Sequence, residues 1–111
     1  MKRRNIMSEE LNDLCESISD KIMEIGLFTN LIEDGELATV SLRVTGKQDD
    51  WSMYIDVVVD DRESDEISED EDENICDTLE MYFTEKGLNE SFESLGYSEN
   101  DRDTICVVLV E

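Results

Sequence analysis

Residues 36–59, ELATVSLRVTGKQDDWSMYIDVVV, contain two runs in which hydropathy alternates along the chain. In the first, over 36–45, Leu37, Val40, Leu42 and Val44 are apolar, with Thr39, Ser41, Arg43 and Thr45 largely opposite. In the second, over 51–59, Trp51, Met53, Ile55, Val57 and Val59 are apolar, while Ser52, Tyr54 and Asp56 face away. Successive side chains of a strand point to opposite faces, so each run predicts a strand with one face on a core. Gly46 to Asp50 supplies the turn between them, and the pair is expected to be antiparallel.

Outward from this hairpin the period changes. Leu11, Leu14, Cys15, Ile18, Ile22 and Ile25 recur at i, i+3, i+4, i+7, i+11 and i+14, one face of a helix over about residues 9–25. Ser8 is its expected N-cap, Glu9 and Glu10 complement the helix dipole, and Gly26 supplies the left-handed stop. Between this helix and the hairpin, residues 28–33 read as a short strand or a loop, and Asp34-Gly35 as a turn. On the other side, Ser68 and Glu71 have the spacing of a capping box. Ile75, Cys76, Leu79, Tyr82 and Phe83 then form a second helical face, which Gly87 ends. Leu88, Phe92 and Leu95 suit a short helix or an irregular cover. Residues 104–110, TICVVLV, are rich enough in Val and Ile to predict a strand buried on both faces, interior to the sheet.

The expected fold class is α+β: a two-layer α-β-β-α-β arrangement with helices packed on a small antiparallel sheet. Its core should contain Leu14, Ile18, Ile22, Val40, Leu42, Ile55, Val57, Leu79, Phe83, Ile105 and Val107. At this length one domain is expected, an acidic one over 8–111, with an acidic linker at 60–67 and a basic extension over 1–7 before it.

Charge bounds the function. Thirty-one Asp and Glu face nine Lys and Arg, for a net charge of -22 on 111 residues. Three of the bases, Lys2, Arg3 and Arg4, sit in the N-terminal extension, which a start at Met7 would exclude. Like charge packed on so small a body strains the compact state, and a net magnitude of roughly 2–8 already keeps a small domain soluble. The excess therefore points to a basic partner. It disfavours bare nucleic acid and anionic membrane, which are themselves polyanions. No apolar run approaches the roughly 18 residues of a membrane span, and the basic start runs into Ser8-Glu9-Glu10 without a signal-peptide stretch. The expected location is the cytoplasm. A single Ala, nine Ile and no Pro fit an AT-rich bacterial or phage coding sequence better than a halophile's.

Little in the sequence suits catalysis or a cofactor. Without His, the Ser-His and Cys-His nucleophile arrangements are ruled out, and no Gly-rich phosphate loop is present. Cys15, Cys76 and Cys106 are widely spaced, form no CxxC pair and lie in or beside apolar stripes, as small core residues do. Asp70-Glu71-Asp72-Glu73-Asn74 opens like a calcium loop. It then places Ile75 where the sharp turn needs Gly and Met81 where the bidentate Glu belongs. No enzyme activity, no metal and no cofactor are expected.

The acids themselves are patterned. Glu9, Asp13, Glu16, Asp20 and Glu24 form a row opposite the apolar stripe of the first helix, and Asp70, Glu73, Asp77 and Glu80 do so on the second. At 1.5 Å rise per residue the second row aligns four charges over about 15 Å. Like charges at these spacings each destabilise a helix by on the order of 0.2–0.5 kcal/mol, and only Lys21 and Lys86 relieve the rows. Between Asp60 and Glu73 ten acids accompany Arg62 alone.

With these acid rows and the run from Asp60 to Glu73, the chain resembles the small acidic phage-encoded DNA mimics, which include some anti-CRISPR proteins. The likeness lies in size, charge and small α/β make-up. It implies an inhibitor that occupies the nucleic-acid channel of a partner such as a CRISPR effector, in the host cytoplasm. Immunity proteins and antitoxins, which neutralise basic nuclease toxins, are similar in the same respects and form the alternative. Acidic chaperones of secreted effectors come third. The expected partner is thus a basic nucleic-acid-binding protein. Its expected contact residues are Asp60, Asp61, Glu63, Asp65, Glu66, Glu69, Asp70, Glu71, Asp72, Glu73, Asp77 and Glu80, with the acidic face of the first helix in reserve.

Overall fold

The computed structural model describes residues 2–110, with side chains described for 9–110. The hairpin forms as its alternation requires. Strand β1, Glu36–Lys47, pairs antiparallel with β2, Asp50–Asp60, around a two-residue turn, Gln48-Asp49. Trp51, Met53, Ile55 and Val57 are buried, whereas Ser52, Tyr54, Asp56 and Val58 are half-buried on the opposite face. A bulge between Leu37 and Thr39 resets the alternation of β1, placing Leu37 opposite Val59 and Val40 opposite Val57. That extra residue is why Leu37 and Val40, three apart, both reach the core.

Two helices cover one face of the sheet. Helix α1 spans Lys2–Ile25, so it begins six residues before Ser8 and takes in most of the extension expected to precede the domain. Ser8 therefore lies inside the helix and does not cap it. Helix α2 spans Glu69–Lys86 and starts where the capping box placed it. The Ser68 hydroxyl accepts from the Glu71 N–H at 3.1 Å, and the Glu71 carboxylate accepts from the Ser68 N–H at 3.0 Å. Gly26 and Gly87 end α1 and α2 in the left-handed region at φ 65° and 67°, which side-chain-bearing residues seldom adopt. A short α3, Leu88–Ser94, follows α2 directly and packs through Phe92, which stacks on both Phe83 and Trp51.

The last strand corrects two expectations, that the sheet is antiparallel and that residues 104–110 lie in its interior. Strand β3, Arg102–Leu109, pairs with β2 in parallel, so the sheet is mixed, and the order β1-β2-β3 puts β3 at an edge. The parallel pairing follows from the connection, since α2 carries the chain back to the end of the sheet where β2 began. Residues Thr104 to Leu109 are all half-buried. Ile105, Val107 and Leu109 pack against the core, while α2 lies along the free edge and shields it. A Val-rich run thus reports shielding by a helix here, where an interior position was expected. Of the anticipated core, Leu14, Ile105 and Val107 are half-buried against it and the other eight residues are fully buried.

Both sheet edges are closed by side chains from the helices. On the β1 edge the Leu42 N–H donates to Ser19 Oγ at 2.8 Å, and that hydroxyl donates in turn to the Cys15 carbonyl of α1 at 2.7 Å. On the β3 edge the Val107 N–H donates to Asp72 Oδ1 at 3.2 Å, and the Cys76 thiol lies 3.5 Å from the Ile105 carbonyl. Edge strands left open are templates for aggregation, and each edge here is blocked near its middle.

Candidate functional site

The acidic segment begins where β2 ends. Asp61 takes a left-handed conformation, φ 58°, which Asp tolerates better than most residues, and turns the chain out of the sheet. Arg62 then points inward. A guanidinium has five N–H donors, and here all of them are engaged. Nε donates to the Ser64 carbonyl at 3.1 Å, Nη1 to the Asp34 carbonyl at 2.9 Å and to Glu71 Oε2 at 3.0 Å. Nη2 donates to the Glu66 carbonyl at 2.6 Å and to Glu71 Oε1 at 2.8 Å. The two side chains are only 4% and 2% exposed. Glu71 also accepts from the backbone N–H groups of Glu33 and Ser68. Its charged form is therefore held by Arg62 first and by these N–H groups after it. Burial works in the opposite direction, and the net effect lowers its pKa to about 2.

The residues expected to be a linker are thus folded around the one cation in the run. Asp60 belongs to β2, and 61–68 wraps the buried pair. This removes two residues from the anticipated contact surface. Glu71 is buried against Arg62, and Asp72 is turned toward β3, accepting from the Val107 N–H and from the Cys76 thiol at 3.3 Å. Asp60, Asp61, Glu63, Asp65, Glu66, Glu69, Asp70, Glu73, Asp77 and Glu80 are all exposed.

Four of these exposed acids wall a groove. Glu69, Glu73, Asp77 and Glu80 line one side of an open cleft of about 480 Å³, with Arg102, Asp103 and Ile105 of β3 on the other. Arg102 is also turned inward, only 9% exposed. It lies 5.8 Å over the Trp51 ring, with Glu80 at 3.5 Å and Glu99 at 4.0 Å. Arg62 is therefore withdrawn beneath the acidic surface, whereas Arg102 stays at the cleft wall and pairs with Glu80, the last acid of the α2 row. Arg43 sits on the uncovered face of the sheet, bidentate to Asp56 and 4.6 Å over Tyr54. On α1, Glu9, Asp13, Glu16, Asp20 and Glu24 are exposed opposite buried Leu11, Cys15, Ile18 and Ile22, with Lys21 paired loosely to Glu24 at 3.7 Å.

Of the three cysteines expected to be core residues, only Cys15 is buried, and Cys76 and Cys106 are half-buried outside the core. Cys15 is in the core and burial raises its thiol pKa to about 11. Burial, and then the neighbouring Asp72 carboxylate, raise that of Cys76 to about 12. Neither thiol is a ready nucleophile or metal ligand at neutral pH. Among the described residues no cluster of side chains suits a metal ion, and no helix is long and apolar enough to cross a membrane. Comparison with protein-family models, curated proteins and solved structures found no match.

Proposed function

We propose that this chain is a polyanionic inhibitor that docks in the basic nucleic-acid-binding groove of a partner protein and excludes the nucleic acid. One observation supports this above the rest. Arg62 is buried beneath the acidic surface and Arg102, only 9% exposed, pairs within the α2 row with Glu80 alone, so the exposed carboxylates of 60–70 and those of Glu73 and Asp77 face solvent with no cation paired to them among the described residues. A face shaped only by solubility interleaves bases with acids, since unrelieved like charges destabilise a helix.

The mechanism is electrostatic substitution. Duplex DNA presents one charge per about 1.7 Å of axis, and a protein that binds it releases the condensed counterions. Carboxylates fixed on a helix and a tethered loop offer the same partner cations a preorganised set of negative acceptors. Complementary potential accelerates encounter and makes both rate and affinity fall steeply with salt. Occupation of the groove then blocks the nucleic acid sterically and by charge.

The test is charge reversal by region. Changing Asp70, Glu73, Asp77 and Glu80 to Lys should abolish inhibition of a captured partner's DNA binding in a competition assay. The same change at Glu9, Asp13, Glu16 and Asp20 should leave inhibition intact. The opposite result moves the site to α1, and indifference to both refutes the proposal. Capture from host lysate names the partner: a CRISPR effector or similar DNA-binding machine fits the mimic, and a small basic nuclease fits an immunity protein.

A further inference from the structure

The acidic surface comes from two successive pieces of chain with different local structure, the irregular loop after β2 and the outer row of α2 that follows it. Loop 61–67 carries Asp61, Glu63, Asp65 and Glu66, and mutual repulsion among them favours a spread, mobile segment. Arg62 opposes that. Its guanidinium collects the carbonyls of Ser64 and Glu66 from the loop, that of Asp34 from the turn before β1, and both carboxylate oxygens of Glu71 from the first turn of α2. Ser64 adds a second tie, its N–H donating to Asp34 Oδ2 at 3.1 Å. The backbone of the loop is thereby held while its acidic side chains remain outside.

We infer that Arg62 is the positioning residue of the acidic surface, joining loop 61–67 and the outer row of α2 into one continuous set of carboxylates that a partner engages together. This rests on the polyanion reading above. It makes a prediction opposite to charge counting. Removing a cation from an anionic surface should tighten its hold on a polycation. Removing this one releases the loop, separates its carboxylates from those of α2, and should weaken that hold. Lysine keeps the charge but offers a compact ammonium without the planar fork, so it cannot reach five acceptors on three segments.

The experiment titrates an octa-arginine peptide into the wild-type chain and into the Arg62→Lys and Arg62→Gln variants across a range of NaCl concentrations. A core variant, Val57→Ala, controls for lost stability, and hydrogen exchange reports the order of amides 63–67. Both Arg62 variants should bind about tenfold more weakly, the ratio that corresponds to fixing the backbone of roughly one residue. Their affinity should also depend less steeply on salt, because fewer carboxylates engage at once, and amides 63–67 should lose protection. Val57→Ala should bind like wild type. Equal affinity for wild type and Arg62→Lys, with tighter binding by Arg62→Gln, would show that only charge matters and overturn the positioning role. Should Arg62→Gln fail to fold, Arg62→Lys alone decides between the two outcomes. If reversing the α2 row leaves octa-arginine binding unchanged, the polyanion reading itself fails. If that reversal weakens binding while the Arg62 variants do not, only the positioning role falls.

Discussion

At Glu71 one carboxylate serves three purposes: it completes the capping box of α2, fixes the turn at Glu33 and neutralises Arg62. Removing one partner of a buried pair leaves the other charge without compensation, at a cost of about 3–5 kcal/mol. Glu71→Ala should therefore destabilise the fold by that amount in urea titration, whereas Asp70→Ala, one residue away and exposed, should change it by less than about 0.5 kcal/mol. Equal effects would show that the pair contributes little. Ser19 is a smaller case of the same kind. Its hydroxyl is the acceptor for the buried Leu42 N–H, so Ser19→Ala should leave that donor unsatisfied and lower stability by about 1–3 kcal/mol. A neutral result would mean that water replaces the hydroxyl. Neither role is legible in the sequence. Ser19 reads only as a polar residue beside a helical stripe, and nothing local pairs Arg62 with one acid among ten. The available signals were that Arg62 is the single base of its segment and that Glu71 sits at the capping-box position, where a side chain must fold back toward the chain.

Among the elements, those with strong internal periodicity were the readable ones. The hairpin, the stripes of α1 and α2, the Ser68 cap and the Gly87 stop all follow from local pattern, because each is fixed by side-chain direction within a few residues. The placement of β3 was not readable, because it depends on what lies beside the strand. Burial by a neighbouring strand and burial by the side chains of α2 select the same Val and Ile residues. The beginning of α1 departs from the local pattern for a related reason: Ser8 is a residue type that favours caps, yet the helix continues through it to Lys2. The edge seal on β3 carries a prediction at this scale. Asp72→Ala removes the acceptor for the Val107 N–H and uncovers the middle of that edge. Hydrogen exchange at Val107 should accelerate by at least tenfold, and the variant should aggregate faster at high salt, where charge no longer keeps molecules apart. Unchanged exchange would show that the body of α2, with no help from the Asp72 carboxylate, closes the edge.

For the molecule as a whole, charge and size set the response to salt and acid. The body measures 44 × 27 × 25 Å. At 0.01 M salt the screening length is about 30 Å, longer than two of those dimensions, so nearly every carboxylate repels every other. At 0.15 M it is about 8 Å, and only neighbours interact. Raising NaCl between these values at pH 7 should therefore raise the thermal midpoint by roughly 5 °C, which corresponds to about 1 kcal/mol in a domain of this size. Acid acts through two opposing routes. Between pH 7 and about pH 4.5, protonation lowers the net charge toward the pI near 4.1 and relaxes the repulsion, so at low salt the midpoint should rise. Below that, Glu71 governs. Its pKa is lowered in the fold to about 2 from an ordinary 4.5, so the stability it contributes is complete above about pH 4.5 and is lost as pH falls toward 2. Calorimetry at 0.01 M NaCl should thus show a maximum near pH 4–5 with decline on both sides. At 0.5 M NaCl the decline toward pH 7 should disappear, because screening has already removed the repulsion, while the acid decline persists, because the Arg62–Glu71 pair is shielded from solvent ions. A low-salt profile flat from pH 7 to 4.5 would mean that self-repulsion does not limit this fold. An acid decline erased by salt would place the Arg62–Glu71 pair in solvent, contrary to its geometry.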